Sequence, residues 1–380
     1  MRDMTVTPLR RTDRRPAADP AAEVVERAKR SAAALDRAGR DADAAPSFPR
    51  DGVEALHEAG LLTAFAPRES GGAALTKAQR ADALMDALRI VGRADLSLGR
   101  IFEGHVNALA LFDWYGSAAQ KAELATRLVE GRVYGVWATE PAPGVRITVD
   151  DALEGAKSFA TGAGEIDYAI VTAARDETRR LVIAPAKDAP RADVSGWTVR
   201  GMRATMSGRY DLSGLAVAPD MLLGGPGDYD LEPRFTGGAW RFAAVQLGGV
   251  ERILTLMREA LNKAAREDPL VRSQFGAAVV AARSAYLWVR EAGLRSESEA
   301  PDANSFALMT RGVVERAGLD VIELASRAVG TRAFFTGGDL DRFCRDLGLY
   351  LRQAAPDHAR DRAAAAWLER DCWGAGDELW

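Results

Sequence analysis

Only three histidines, His57, His105 and His358, are available in this chain to move protons near neutral pH. His57 lies in an amphipathic stretch near the N-terminus and reads as structural. His105 sits in Ser97-Leu-Gly-Arg-Ile-Phe-Glu-Gly-His-Val-Asn107, and His358 follows Arg345 by thirteen residues. An imidazole in either place could serve as a general acid or base. The dispersed histidines and the two distant cysteines, Cys344 and Cys372, have no metal-ligand spacing and form no disulfide framework. The glycines of Gly224-Gly-Pro-Gly-Asp228 and Gly337-Gly-Asp339 read as turns, because neither run joins a strand to a helix as a phosphate cradle does. No G-x-S-x-G or H-x-x-E-H pattern is present.

The elements that would position these residues fall into three blocks. From about residue 21 to 130 apolar residues recur three and four apart, over Glu23–Leu35, Arg50–Leu62 and Lys77–Val91, which predicts helices. From 131 to 230 short segments such as Tyr168–Thr172, Leu181–Ile183, Trp197–Arg200 and Leu215–Ala218 are separated by Gly, Asp and Pro, which predicts antiparallel strands. From 231 to 380 the helical period returns over Val245–Leu261, Gly276–Gly293, Phe306–Val329 and Leu340–Leu351.

Composition narrows the partners. With 380 residues, 47% of them hydrophobic, the chain can build two or three cores. A formal charge of −4 argues against nucleic acid as the main partner. No apolar run approaches the length needed to span a membrane. The first 20 residues are rich in Arg and Pro and lack an apolar core, so they read as a disordered tail rather than a secretory signal. Two cysteines suit a reducing cytoplasm.

Six local motifs stand in the order in which one known family places them. Phe48-Pro-Arg-Asp-Gly-Val-Glu-Ala-Leu-His, followed by Pro67-Arg-Glu-Ser-Gly-Gly, is similar to that family's N-terminal helices. Trp137-Ala-Thr-Glu-Pro-Ala-Pro-Gly144 resembles its T-E-P-x-x-G flavin loop, and Lys157-Ser-Phe-Ala-Thr161 its K-x-W-I-T strand. Gly201-Met-Arg-Ala-Thr-Met-Ser207 is similar to G-x-R-x-T-x-S, Arg272-Ser-Gln-Phe-Gly276 to R-x-x-F-G, and Asp341-Arg-Phe-Cys-Arg-Asp346 to E-R-x-x-R-D.

Together the six motifs resemble the acyl-CoA dehydrogenases, and the resemblance implies an all-α N-terminal domain, a central antiparallel β-barrel-like domain and a C-terminal four-helix bundle. It implies a flavin, FAD in the main reading, with FMN or a reduced flavin co-substrate as the alternative. Trp137, Thr139, Gly144, Phe159 and Thr161 would then meet the ring, since hydroxyls and backbone amides on rigid strands match its donors and acceptors. Arg272, Phe275 and Gly330 would serve a pyrophosphate, in the family a neighbouring subunit's, so a homodimer or homotetramer is expected. Three departures stand out. The family's catalytic glutamate position, nine residues after Arg345, holds Ala354, and its alternative site near Trp240 has no acid between Gly238 and Gly249. The family's Q-x-x-G-G loop becomes Arg327-Ala-Val-Gly-Thr-Arg332, and Val145 stands where the flavin loop usually has serine.

A related branch of the fold, the two-component flavin monooxygenases, also lacks the glutamate and takes reduced flavin from a reductase. The Ser97–Asn107 stretch is similar to a helix lining that branch's active cavity, and His358 falls near its usual catalytic histidine, so the resemblance implies His105 and His358 as candidate catalytic residues that give a proton to activated oxygen or take one from a phenol-like substrate. The expectation is therefore a flavin-dependent oxidoreductase acting on a small molecule, an acyl-CoA or an aromatic compound. Hydroxylation by reduced flavin and oxygen, or a catalytically degenerate binding role, remain as alternatives at this point.

Overall fold

A computed structural model describes residues 19–353 and 355–369. The expected tail, up to residue 18, together with Ala354 and Cys372, lies outside the described residues.

The described residues begin with six α-helices, α1 (Pro20–Ala44), α2 (Arg50–Glu58), α3 (Leu61–Ala64), α4 (Lys77–Ala94), α5 (Leu96–Tyr115) and α6 (Ala118–Val129). Their starts are written locally. The Asp19 carboxylate caps α1 at the Ala21 N–H (3.1 Å), with Pro20 in the first turn. Thr76 with Gln79 and Ser117 with Gln120 form reciprocal capping boxes on α4 and α6. The predicted Arg50–Leu62 helix is two helices, because Gly60 takes a left-handed conformation (φ 65°) between them. α5 is buried along most of its length, which suits a helix hydrophobic nearly all round.

Next come nine short strands: β1 (Tyr134–Trp137), β2 (Arg146–Ile147), β3 (Leu153–Glu154), β4 (Ala156–Ala160), β5 (Tyr168–Arg175), β6 (Thr178–Pro185), β7 (Ala192–Asp193), β8 (Gly208–Asp211) and β9 (Leu222–Leu223). One sheet runs β3-β2-β5-β6-β9 with β1 also on β5, and a second runs β4-β8-β7. The β5–β6 hairpin is antiparallel from Tyr168↔Pro185 to Arg175↔Thr178. The expected antiparallel pairing holds for β2–β3, β4–β8, β5–β6, β6–β9 and β7–β8, and the structure adds two parallel pairs, β1 and β2 each against β5. The chain leaves β1, visits the second sheet through β4, and re-enters in its original direction, so the first sheet is mixed. Two expected strands are not strands. Trp197–Arg200 is a loop whose apolar pattern comes from Trp197, anchored by its indole N–H to the Met202 carbonyl (3.1 Å). Leu215–Ala218 contributes only an isolated bridge, Ala152↔Ala216.

The remainder is helical: α7 (Arg234–Gly237), α8 (Trp240–Ala260), α9 (Lys263–Glu267), α10 (Pro269–Glu297), α11 (Ala303–Val329), α12 (Asp339–Tyr350) and α13 (Pro356–Leu368). α8, α10, α11 and α12 pack as a bundle against which α4 also lies. Gly248 lets α4 and α8 approach closely, because a Cβ there would sit 2.2 Å from the Arg89 carbonyl oxygen.

The blocks are locked at one charged junction. Buried Arg342 on α12 holds Asp95 at the start of α5 (2.6 Å) and Asp36 on α1 (3.1 Å). Arg345 pairs with Asp43 of α1 (3.1 Å) and Asp341 (2.8 Å) and donates to the Arg200 carbonyl (2.6 Å). Asp346 accepts the Met202 N–H of the loop before β8 (2.6 Å). The Asp341-to-Asp346 motif is thus a tie between segments up to 306 residues apart.

Candidate functional site

The flavin-loop motif is built around hydrogen bonds that sequence could not pair. The Trp137 indole, 3% exposed, donates to the Thr161 carbonyl (3.1 Å), fixing the end of β1 against the end of β4. The Thr139 carbonyl accepts the Ser158 N–H (2.9 Å). Glu140 is ion-paired with the fully buried Lys157, whose ammonium also donates to the Thr172 hydroxyl (2.9 Å). Burial pushes the Lys157 ammonium below its ordinary value, against the pull of Glu140. Gly144 closes the loop at φ 93° by donating to the Pro141 carbonyl (2.8 Å). The Thr161 hydroxyl accepts from Ser207 (3.5 Å).

A bulge in β4 between Lys157 and Ala160 turns Phe159 outward. The ring is 68% exposed and its backbone stands at φ 52°, a conformation that costs a non-glycine residue about 1–3 kcal/mol. An apolar ring held in a strained pose on the surface is what a planar cofactor would cover. Exposed Ala138 and Thr139 lie on the same motif.

Thr139 and Ala138 open onto a cavity of about 450 Å³ between α5, the segment from Tyr229 to Phe242, α11 and α13. The α5 wall is Arg100, Glu103, Gly104, Asn107 and Leu111, the i, i+3, i+4, i+7 stripe of one helix face. Glu103, 1% exposed, is the sole carboxylate among the described lining residues and is bound by both Arg100 and the Asn107 amide. Arg241 of α8 donates to the Asn107 side-chain amide oxygen Oδ1 (3.4 Å) and pairs with Glu297 (3.0 Å). One end of the cavity is aromatic. Trp114 and Tyr115 meet edge to face at 6.0 Å, Tyr229 and Phe235 at 5.2 Å, and the Arg234 guanidinium lies 5.4 Å from the Trp114 ring. The other end holds Leu308, Arg311, Gln353 and Arg362.

His105 is not part of this wall. It sits about 140° round α5 from Arg100 at 3.6 residues per turn. Its Nε2–H donates to the Leu62 carbonyl (2.7 Å) and its Nδ1 accepts the Tyr134 N–H (3.1 Å), in full burial. Desolvation lowers its pKa to about 4, so the ring stays neutral with both nitrogens spent on backbone. The catalytic expectation for His105 is corrected: it ties α5 to α3 and β1. His358 is exposed on α13 and does not line the cavity, and Ala354 lies outside the described residues. Arg272 is exposed near the start of α10 with Phe275 half-buried one turn on, and Gly330 is exposed at the end of α11 (φ 71°). None of these three lines the cavity. Glu103, Asn107, Arg234, Arg241 and Arg311 were missed. The polar stripe Arg100-Glu103-Asn107 in an otherwise apolar helix was the available signal for the first of them.

Comparison with known proteins agrees with this layout. The acyl-CoA dehydrogenase N-terminal domain matches residues 20–132, and the acyl-CoA dehydrogenase C-terminal domain matches residues 228–351. Dibenzothiophene monooxygenase of Rhodococcus erythropolis is 27% identical over 376 residues, covering 85% of this chain and 86% of that protein. The enzyme of the same description from Mycolicibacterium goodii is 26% identical over 343 residues, covering 77% and 81%. Among solved structures, TdsC from Paenibacillus sp. A11-2 with FMN and indole superposes with a TM-score of 0.81 at 23% identity, over 91% of this chain and 97% of that one. A glutaryl-coenzyme A dehydrogenase complex gives 0.82 at 19% identity, over 93% and 96%. With two domain models of one family flanking a mixed sheet that carries its flavin-loop motif, the chain belongs to the acyl-CoA dehydrogenase superfamily of flavin-dependent oxidoreductases.

Proposed function

We propose that the protein is the oxygenase component of a two-component flavin monooxygenase, oxidising a ring-containing aromatic substrate with reduced FMN delivered by a separate reductase. The observation that carries the reading is the state of Glu103. Abstracting an α-proton from an acyl thioester needs a carboxylate free to accept it. The cavity's one described carboxylate is clamped by Arg100 and Asn107 instead. The dibenzothiophene monooxygenase relatives and the indole and FMN of TdsC support the same direction.

The residues present fit a flavin. Thr139, Thr161 and the backbone of the loop closing at Gly144 offer partners to the ring edge, Trp137 braces them, and Phe159 offers a face. When bound, the reduced flavin supplies the electrons that activate oxygen. This chain's own part is to hold the substrate against the α5 wall and to shield it from water with Trp114, Tyr115, Tyr229 and Phe235. FMN is favoured over FAD because Arg327-to-Arg332 departs from the family's nucleotide loop. Arg272 and Phe275, with exposed Leu270, Val280 and Leu287 along α10, support a homodimer or homotetramer in which one subunit reaches its neighbour's flavin. None of the described helices is long and apolar enough to cross a membrane, and a cytoplasmic setting suits the free Cys344.

The test is flavin preference. The purified protein should bind reduced FMN more tightly than oxidised FMN and slow its reaction with air. Tight copurified FAD, reduced anaerobically by acyl-CoA thioesters, would overturn the reading.

A further inference from the structure

We propose that the Glu140–Lys157 ion pair is a positioning device for the flavin, fixing the loop from Ala138 to Gly144 so that Thr139 meets the ring in one set place. The inference rests on the proposed function only in taking this loop as the flavin contact. Along the loop Ala138, Thr139, Pro141, Ala142 and Pro143 are exposed, while Glu140 in their midst turns inward and is half-buried. Its carboxylate accepts from the Lys157 ammonium of β4, which is fully buried and donates also to the Thr172 hydroxyl of β5 (2.9 Å). Because β4 and β5 belong to different sheets, Lys157 ties the loop to both at once. The same carboxylate lies over Gly144, where an added Cβ would stand 3.0 Å from Glu140 Oε1. Beside it the Thr139 carbonyl accepts the Ser158 N–H (2.9 Å), so Thr139 is held through its own backbone and through its neighbour's side chain.

Stability alone does not account for the pair. Taking an ammonium out of water is costly, and a buried ion pair is often matched in stability by apolar side chains of the same volume. Burial accordingly pushes the Lys157 ammonium below its ordinary value, with Glu140 pulling the other way. A methionine in place of Lys157 would fill the space without that penalty, but it would tolerate any position of the Glu140 carboxylate. What the charged pair adds is direction. It is satisfied only when the carboxylate comes to one point, and that point fixes Thr139 one residue earlier. A hydroxyl that must reach a ring edge within hydrogen-bond distance gains from this, because the loop is ordered before the flavin arrives.

The experiment measures reduced-FMN affinity by anaerobic titration calorimetry, and urea unfolding of the flavin-free protein, on the full-length chain. The variants are Lys157→Met, Glu140→Gln and the two combined. Glu140→Gln strands a buried ammonium and should lower the unfolding midpoint, whereas the double variant should return to the wild-type midpoint or above. All three should bind reduced FMN about tenfold more weakly, the double variant included, as for the loss of one well-placed hydrogen bond. Lys157→Met and the double variant carry the test whether or not Glu140→Gln folds. The effect should run through Thr139: in a Thr139→Ala background, Lys157→Met should weaken binding by less than about a further twofold. Arg132→Gln, which breaks a pair with Asp167 (3.1 Å) just before β1, should leave the affinity at the wild-type value. An affinity that recovers with the unfolding midpoint in the double variant overturns the inference. So does a Lys157→Met loss as large without the Thr139 hydroxyl as with it. If wild type and every variant bind reduced FMN equally, the inference falls and the flavin reading stands. Wild-type protein that binds neither FMN nor FAD defeats the flavin reading and this inference with it.

Discussion

The junction around Arg342 and the cavity around Arg241 are both built from arginines meeting acids, yet they end in opposite states. At the junction the charges are closed on one another. Arg342 has Asp95 and Asp36, Arg345 has Asp43 and Asp341, and Asp346 has a backbone amide. In the cavity the one carboxylate among the described lining residues, Glu103, is shared between Arg100 and the Asn107 amide, while Arg234 and Arg241 reach acids outside the lining. Both were visible in the sequence only as charged residues. A buried network with matched partners sets the shape of the molecule, and one that lines a cavity leaves its groups within reach of a ligand.

Removing a member of each network is the sharpest way to break this comparison. Arg342→Met leaves Asp95 buried without its cation and should cost about 3–5 kcal/mol of unfolding free energy, read by urea denaturation. A loss below about 1 kcal/mol would show that the junction does not hold the domains together.

The pH dependence of stability sharpens it next. His105 in the folded chain titrates at about 4, whereas an unfolded histidine titrates near 6.5. Its stabilising contribution is complete above about pH 6.5 and is lost as pH falls towards 4, by up to about 3 kcal/mol. Asp346 runs the other way. Burial, then the nearby Asp95, raise its carboxyl to about 7, so its contribution is present at low pH and is lost as pH rises from about 4 to 7. Thermal melts across this window should show His105→Gln flattening the acid limb and Asp346→Asn flattening the limb towards neutrality. Identical profiles for both variants would contradict the assignments.

In the cavity, Glu103→Gln removes the acid that balances Arg100 and should weaken substrate binding by up to about tenfold, while the melting temperature changes less than for Arg342→Met. Phe159→Ala is the smallest effect expected: a loss of about 0.5–1.5 kcal/mol in reduced-FMN affinity with folding stability unchanged, because the ring touches solvent rather than core.

The order of helices, sheet and helices was legible because hydrophobic period reports which face is buried. Strand direction was not, since an alternating pattern is the same whether β1 runs with β5 or against it. The loop from Trp137 to Gly144 and the strand from Lys157 to Thr161 were legible as motifs, and the structure adds why they belong together, through Trp137 with Thr161 and Glu140 with Lys157. His105 misled because its partners, Leu62 and Tyr134, are 43 and 29 residues away, and only the fold shows that they occupy both nitrogens. The cavity arginines were hidden in a chain with 50 basic residues, where a single arginine carries no information until its neighbours are known.

The most direct test of the central claim is a single turnover with isotopically labelled oxygen. Protein loaded with chemically reduced FMN is mixed with ¹⁸O₂ and an aromatic heterocycle such as indole or its carboxylate, and the product mass is recorded. One labelled oxygen atom in the product is the predicted result. Hydrogen peroxide as the sole product from every ring tried, together with anaerobic reduction of protein-bound oxidised flavin by an acyl-CoA thioester, would contradict it and return the chain to dehydrogenase chemistry.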